Sequence, residues 1–232
     1  MAATLAREGT EAGLQAGSLC TAQVPAPPTQ REEPMREYYD RRAAEYDETI
    51  LDGSDAETAA AFTDELAALG RVLGRLPPGR VLDVACGTGL ITRYLRGEVV
   101  ALDQSAGMLR IAATRVPAAR LVRAVAPSLP FADLAFDRLC TSNFYGHLVE
   151  AERAAFLAEA RRVASELLVV DEMVHAGAQP DGWHERTLRD GSRHTIYKRH
   201  FTPDQLAAEL GGDGAILFAG RFFVAVRSRH HR

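Results

Sequence analysis

Apolar and polar residues alternate with two different periods along this chain. Between residues 54 and 76 apolar side chains recur every three or four positions, which predicts an amphipathic helix. Ser54 and Glu57 have the composition of a capping box and predict where that helix begins. Similar stripes predict an earlier helix over residues 35 to 50 and a later one over residues 150 to 164.

Short apolar runs lie between these helical stretches and predict β-strands. They occur at residues 80–85, 98–102, 120–125, 136–141 and 166–170. Strands that alternate with helices predict a parallel sheet covered on both faces. The closing runs AILFAG and RFFVAVRS predict a final antiparallel pair that turns at Gly220. The fold class is therefore α/β, with a doubly wound, seven-stranded, mostly parallel sheet that ends in an antiparallel strand pair.

The chain is expected to contain one domain preceded by a leader. Residues 1–33 are rich in Ala, Gly, Thr and Pro and have no sustained period, so they predict a flexible segment. The domain is expected to cover residues 34–232, with residues 176–201 as a hairpin insert on the substrate side.

Composition excludes several classes of protein. Of the 232 residues 47% are hydrophobic and 25% are charged, as in ordinary globular proteins. No apolar run approaches the roughly 20 residues that cross a bilayer. Charges at Arg7, Glu8 and Glu11 argue against a secretory signal. We therefore expect a cytoplasmic protein without membrane contact. The net charge of −4 argues against a nucleic-acid partner.

Cys86 and Cys140 are expected to be buried, reduced thiols.

The stretch VLDVACGTG, residues 81–89, carries the first candidate chemistry. It leads a strand into Gly87 and Gly89 and then predicts the start of a helix. In an open α/β sheet, ligands bind at the carboxyl ends of the strands, where such a turn lets the backbone approach them. A dinucleotide-binding turn would have a third glycine, but this chain has Thr92 there.

Two aspartates narrow the choice of ligand. Asp83 lies just before the turn, where a carboxylate would disfavour an anion and favour a cation. Asp103 ends the second strand, 14 residues beyond Gly89, and is placed to accept hydrogen bonds from a ribose diol. Together they predict an adenosine nucleoside that carries a positively charged amino-acid tail.

These motifs resemble those of class I S-adenosylmethionine-dependent methyltransferases that act on small molecules. VLDVACGTG resembles the family's first motif, and ALDQSAGML (101–109) resembles the second. Residues 129–148 resemble the fourth-strand region, and residues 37–47 resemble the helix that closes over the cofactor. The resemblance implies a Rossmann-like fold, S-adenosyl-L-methionine as cofactor and a small-molecule methyl acceptor as partner.

The resemblance also implies which residues bind the cofactor. They are Tyr38, Tyr46, Asp83, Ala85, Gly87, Gly89, Asp103, Gln104, Met108, Val125, Ala126 and Thr141. One departure concerns the adenine, because the acidic residue that often meets its amino group is replaced by the stretch Ala124-Val125-Ala126-Pro127. We expect backbone groups of Val125 and Ala126 to hold the adenine edge, or the affinity to be lower.

The acceptor is expected to bind beyond the fourth strand. His147 follows that strand and is the candidate general base, although a purely structural histidine fits the sequence equally well. The predicted substrate contacts are Asn143, Tyr145, Trp183, His184, Tyr197 and His200. No metal site is expected, because the histidines at 184, 194 and 200 lack compact ligand spacing.

Four of these substrate contacts belong to a predicted hairpin. Asp190-Gly191 is a preferred pair for a two-residue type I′ turn. Such a turn pairs Trp183 with Lys198 and His184 with Tyr197, and the hairpin then acts either as a flap over the acceptor or as a charged surface element.

The sequence favours methyl transfer to an O, N or C atom of a small organic acceptor. A protein that binds S-adenosylmethionine without turnover, as a sensor or partner, remains an alternative. An NAD-dependent oxidoreductase would need a dinucleotide turn, and methylation of RNA or protein is disfavoured by the acidic balance. The sequence leaves the acceptor and the oligomeric state open.

Overall fold

A computed structural model describes residues 32–49, 55–126, 128–175 and 181–229. The predicted leader, apart from its last two residues, and the predicted helix start at Ser54 lie outside these ranges. Within them, each helix is too short or too polar to cross a bilayer.

Seven strands form one sheet, which confirms the predicted fold class. They are β1 (Gly79–Val84), β2 (Gly97–Asp103), β3 (Arg120–Arg123), β4 (Phe136–Ser142), β5 (Ala164–Glu172), β8 (Ala215–Ala219) and β9 (Phe223–Arg229). Their order is β3-β2-β1-β4-β5-β9-β8. The first five are parallel, whereas β9 pairs antiparallel with β5 and β8 with β9. The strand order reverses between β1 and β4, so a ligand crevice is expected at their carboxyl ends.

Within the described residues, six α-helices accompany the sheet. They are α1 (Glu32–Arg42), α2 (Tyr46–Thr49), α3 (Ala56–Leu73), α4 (Ala106–Arg115), α5 (Glu150–Val163) and α6 (Pro203–Leu210). The single helix predicted over residues 35 to 50 is in fact broken by a 3₁₀ turn, Ala43–Glu45. The predicted capping box of α3 is also corrected, because the carboxylate of Asp55 caps this helix by accepting the N–H of Thr58.

Two apolar cores cover the two faces of the sheet. On one face α5 and α6 pack against Leu82 and Val84, and on the other face α3 packs against Val81 and Cys140. Successive residues of a strand point to opposite faces, so Asp83 shares the α3 face with Val81. Cys86 and Cys140 are buried and free of disulfides, as predicted.

The helix predicted after the glycine turn is absent from this described part of the chain, where a 3₁₀ turn at Thr92–Tyr94 takes its place. Because β2 already begins at Gly97, residues 90–96 are too few for a helix that packs along the sheet. The C-terminal half of α3 covers this region instead. Gly70 of α3 lies so close to Tyr94 that an added Cβ would be 2.4 Å from the ring atom Cε1.

The predicted hairpin exists, but its predicted register is wrong by one residue. β6 (Gly182–Thr187) pairs with β7 (Arg193–Lys198), and Trp183 faces Tyr197. The N–H of Gly191 donates to the Leu188 carbonyl at 2.9 Å, and the N–H of Leu188 donates to the Ser192 carbonyl at 2.9 Å. The loop therefore has three residues and ends in Gly191 at φ 83°, a common alternative to the two-residue turn. Burial of Leu188 against Tyr38 of α1 accompanies this longer loop.

Replacing a glycine can cost stability through backbone strain at positive φ or through steric overlap of the new Cβ, and Gly97 and Gly191 allow these two costs to be measured separately. Both have positive φ (110° and 83°), but an added Cβ would lie 2.1 Å from the Gly79 carbonyl oxygen at Gly97 and would meet nothing within 4 Å at Gly191. We expect Gly191→Ala to lower the free energy of unfolding by about 1–2 kcal/mol, the cost of a left-handed backbone. Gly97→Ala should lower it by about 1–3 kcal/mol more, because of the steric overlap. Urea denaturation of both variants measures the difference, and equal losses would contradict this assignment.

Candidate functional site

A cavity of about 360 Å³ opens at the carboxyl ends of β1, β2 and β4. It lies where the strand order reverses, as the topology predicts. Its wall combines the glycine turn, the tip of β2, the loops after β3 and β4, and the start of α5. The lining residues are Met35, Tyr39, Tyr46, Ala85, Gly87, Leu102, Asp103, Gln104, Met108, Ala124, Val125, Ala126, Ser142, Asn143, Phe144, His147, Leu148, Ala151, Glu152 and Ala155.

The glycine turn presents bare backbone to the cavity. Gly87 has φ 55°, and an added Cβ would meet no atom within 4 Å, so it would protrude into the space that the turn leaves open. Ala85 has φ 56°, a left-handed conformation that costs a residue with a Cβ roughly 1–2 kcal/mol. The turn therefore keeps a strained backbone so that its peptide groups can face a ligand.

Asp103 connects the glycine turn to the tip of β2. Its Oδ2 accepts the N–H of Gly87 at 2.8 Å, and its Oδ1 accepts the N–H of Ser105 at 2.8 Å. Burial raises the pKa of this carboxyl, and the two N–H donors offset part of that rise. Each oxygen keeps acceptor capacity beyond its one backbone bond. The carboxylate can therefore receive two neighbouring hydroxyl groups from the cavity.

Asp83 lies beneath the turn and outside the cavity wall, so its predicted role toward the cofactor stays a prediction. It is 0% exposed, and Thr92 Oγ1 donates to its Oδ2 at 2.6 Å. Its Oδ1 is buried without a hydrogen-bond partner, and burial raises its pKa to about 7. An unpaired carboxyl oxygen of this kind is stabilised by positive charge in the adjacent cavity. The site therefore fits a cationic ligand.

Two aspartates hold the N-terminal helices over the glycine turn. Asp40 of α1 accepts the Ser105 hydroxyl at 2.6 Å and the N–H of Gly107 at 3.0 Å. Asp47 of α2 accepts the Thr88 hydroxyl at 2.8 Å and forms an ion pair with Arg115 of α4. These contacts fix the segment that contributes Tyr39 and Tyr46 to the cavity wall.

His147 reaches the cavity from the opposite side. It ends a 3₁₀ turn, Tyr145–His147, and its Nδ1 lies 2.7 Å from the Tyr197 carbonyl oxygen. Burial, followed by the charge of Lys198, lowers the pKa of His147 to about 3, so the ring is neutral at pH 7. Because a carbonyl oxygen only accepts, Nδ1 carries the proton and the ring's lone pair is on Nε2.

Most predicted cofactor residues line the cavity, and four do not. Tyr46, Ala85, Gly87, Asp103, Gln104, Met108, Val125 and Ala126 are in its wall. Asp83 lies below the turn, and Gly89 faces α4, where an added Cβ would be 3.3 Å from Val116 Cγ2. Tyr38 is buried and its hydroxyl accepts from Arg42, while Thr141 donates to the Val84 carbonyl at 2.8 Å.

Of the predicted acceptor-side residues, His147 and Asn143 line the cavity and the others lie outside its wall. Tyr145 is buried against Phe156 and Phe201, and its hydroxyl donates to Glu209. The other four belong to the hairpin or the segment that follows it. Trp183 is 54% exposed and stacks edge-on to Tyr197, His184 pairs across the strands with Ile196, and His200 lies near Glu172.

Sequence reasoning missed the part of the wall that α5 contributes. Leu148, Ala151, Glu152 and Ala155 line the cavity from the start of this helix. Their spacing of three and four residues places them on one helical face. This stripe is visible in the sequence, but the buried face of α5 around Phe156 carries the stronger apolar signal.

Known proteins resemble the middle part of this chain. A family model described as "Methyltransferase domain" matches residues 81–166. A demethylmenaquinone methyltransferase of Renibacterium salmoninarum is 40% identical over 108 residues, which cover 44% of this chain and 45% of the relative. A malonyl-[acyl-carrier protein] O-methyltransferase of Pseudescherichia vulneris is 46% identical over 74 residues, which cover 31% and 29%. The chain thus spans less than half the length of these curated relatives.

Solved structures extend the likeness to nearly the whole fold. A structure described as a DhpI-SAM-HEP complex aligns with a TM-score of 0.66 and 26% identity over 84% of this chain and 96% of that one. The methyltransferase-domain match over residues 81–166 and this structural likeness support a class I S-adenosylmethionine-dependent methyltransferase. A structure described as the glycopeptide N-methyltransferase MtfA shares the fold, with a TM-score of 0.51 and 21% identity over 71% of this chain and 88% of that one.

The raised pKa of Asp83 predicts how the stability of the ligand-free protein depends on pH. Its pKa is raised to about 7 in the folded protein, so between about pH 4 and 7 the folded state binds a proton that the unfolded state lacks. Stability from this group is therefore present at low pH and is lost as pH rises, with a slope near 1.4 kcal/mol per pH unit. Asp83→Asn should remove that slope in urea denaturation between pH 5 and 7. The control is Asp190→Asn, because the pKa of exposed Asp190 is lowered. Equal slopes in the two variants would contradict the assignment.

Proposed function

We propose that this protein transfers a methyl group from S-adenosyl-L-methionine to an O, N or C atom of a small organic acceptor. The observation that carries the proposal is one cavity with two distinct sides. A diol-accepting carboxylate beside bare backbone forms one side, and a buried, neutral histidine forms the other. A cytoplasmic location and a single domain over residues 34–232, with residues 176–201 as an insert, belong to the same proposal.

The cofactor side follows from residues that line the cavity. Asp103 would accept the two ribose hydroxyls, and the buried carboxyl of Asp83 would favour the cationic tail through the turn above it. Met108 and the stretch Ala124–Ala126 would border the adenine with apolar side chains and backbone groups. When bound, the cofactor supplies a methyl group on a positively charged sulfur.

His147 is proposed as the general base. With its proton on Nδ1, its Nε2 can take the proton that an acceptor loses when it is methylated. Its lowered pKa keeps it unprotonated over the physiological range, at the cost of weak basicity. We infer that positioning, rather than strong basicity, is its main contribution, since oriented contact can supply roughly 7–11 kcal/mol of a barrier.

The identity of the acceptor is left open by the relatives. Their names give demethylmenaquinone and malonyl-[acyl-carrier protein] as acceptors, but their matches cover only 44% and 31% of this chain. The hairpin β6–β7 lies outside the family-model match of residues 81–166. We therefore propose a small organic acceptor and no narrower class. The neutral imidazole of His147 in the cavity wall favours catalysis over binding without turnover.

Removing the Asp103 carboxylate should weaken cofactor binding. Each hydrogen bond to a charged group contributes about 1.5–3 kcal/mol, so Asp103→Ala should raise the dissociation constant for S-adenosylmethionine on the order of 100-fold or more. Asp133→Ala is the matched control, because Asp133 is exposed and pairs with Arg162 on the surface. Titration calorimetry on both variants measures the effect. Equal affinities for the two variants would refute the proposed cofactor site.

Replacing His147 should affect turnover and spare cofactor affinity. Loss of a general base typically lowers kcat by about 10²–10⁴-fold. We expect His147→Gln to show such a loss on whichever compound of a small-metabolite panel yields S-adenosylhomocysteine with the unaltered protein. Its affinity for S-adenosylmethionine should stay within about twofold by calorimetry. Undiminished turnover would remove His147 from the mechanism without touching the cofactor assignment.

A further inference from the structure

Strand β7 runs directly along the 3₁₀ turn that carries His147. The Tyr197 carbonyl oxygen lies 2.7 Å from His147 Nδ1, and the N–H of Arg199, just after β7, donates to the Gly146 carbonyl at 2.9 Å. A Cβ added at Gly146 would lie 2.5 Å from the Arg199 carbonyl oxygen. Only glycine at 146 allows the two backbones to approach this closely.

A buried ion cluster holds the same turn from the end of β5. Lys198 is 5% exposed and Asp171 is 0% exposed. The Lys198 ammonium lies 2.8 Å from Glu172 Oε1 and 3.7 Å from Asp171 Oδ1. Asp171 Oδ2 accepts the N–H of Gly146 at 2.8 Å. The turn is therefore bonded to β7 on one side and to the end of β5 on another.

We propose that β7 is a positioning element for catalysis, in which the Tyr197 carbonyl selects the Nδ1-protonated tautomer of His147 and Lys198 holds its turn through Asp171 and Glu172. The inference rests on the proposed function, in which His147 Nε2 takes the proton that the acceptor loses. It assigns a positioning role to Tyr197, which was predicted to contact the substrate. It also assigns a positioning role to Lys198. The charged imidazolium keeps the same Nδ1–H donor to Tyr197 after it has taken that proton.

The charges around His147 come from several elements. Lys198 of β7 and Arg42 of α1 disfavour a proton on the ring, and Glu172 at the end of β5 favours one. Tyr46 of α2 and Glu152 of α5 share the cavity wall with it. Burial alone would lower the pKa of Lys198, but Glu172 and Asp171 raise it, so the ammonium stays charged. Without Lys198, Glu172 would keep its negative charge near the histidine and lose the ammonium that lies 2.8 Å from it.

Nuclear magnetic resonance of ligand-free protein labelled with ¹⁵N-histidine tests the proposal. The His147 signals are assigned by their loss in His147→Gln. In the unaltered protein we expect the Nδ1–H tautomer and no protonation between pH 8 and pH 5. The titration is continued below pH 5, because the pKa of His147 is lowered to about 3 in the unaltered protein, and Lys198→Met should raise its midpoint by about one pH unit or more. Gly146→Ala should produce a mixture of tautomers, because the added Cβ pushes the turn away from β7.

The control is Arg193→Met, which removes an exposed cation from the same strand, where Arg193 pairs with Glu185. It should leave the His147 signals unchanged. An Nε2–H tautomer in the unaltered protein, or equal His147 midpoints in Lys198→Met and Arg193→Met, would overturn the proposal. If Lys198→Met fails to fold, the tautomer of the unaltered protein and the Gly146→Ala spectrum decide. These spectra do not require turnover. A failure to detect methyl transfer would therefore contradict the proposed function, but the tautomer and the protonation midpoint of His147 could still be measured.

Discussion

The cavity depends on Asp103, whose two carboxylate oxygens each accept a hydrogen bond from a backbone N–H. One carboxylate accepts an N–H from the glycine turn and another from the segment that opens α4, so two loops from different strands share one anion. Ser105 then caps α4 by accepting the N–H of Met108 at 3.0 Å, and Asp40 fixes Ser105 from α1. A single hydrogen-bonded chain thus runs from the N-terminal helix to Gly87. Bonds to an ionised acceptor are stronger than neutral ones, which suits a loop that must stay open for a ligand.

Buried carboxyls surround the cavity, and their burial has a cost. The pKa values of Asp83, Asp103 and Asp171 are all raised above the ordinary value, with burial as the largest cause in each. Only Asp171 has a close ammonium, that of Lys198, whereas Asp83 relies on one hydroxyl. Removing a charged group from water is expensive unless it is paired. The two sides of the cavity therefore differ, because the histidine side neutralises its carboxylates internally and the glycine side leaves one for a cation.

Local sequence patterns predicted the sheet well, and most of the residues predicted to bind the cofactor line the cavity. Five parallel strands followed from apolar runs, and Asp103 and Gly87 could be placed because both follow strand ends that topology brings together. The failures have tertiary causes. The helix expected after Gly89 depends on how soon β2 begins, and that is fixed by the contact of Gly97 with Gly79. The hairpin register depends on Leu188, which is buried against α1. A local rule for the pair Asp190-Gly191 cannot predict this tertiary contact.

The missing helix after the glycine turn has a consequence for the smallest autonomous unit of this protein. Its place on the sheet is filled by α3, which precedes β1 in the chain, and the apolar face around Val81, Ile91 and Cys140 also packs against Phe223 of the last strand. A fragment trimmed to the family match, residues 81–166, would lose α3 and Phe223 and expose this apolar face to water. The segment that matches the family model is therefore shorter than the segment needed to bury the apolar core, which includes α3 and Phe223.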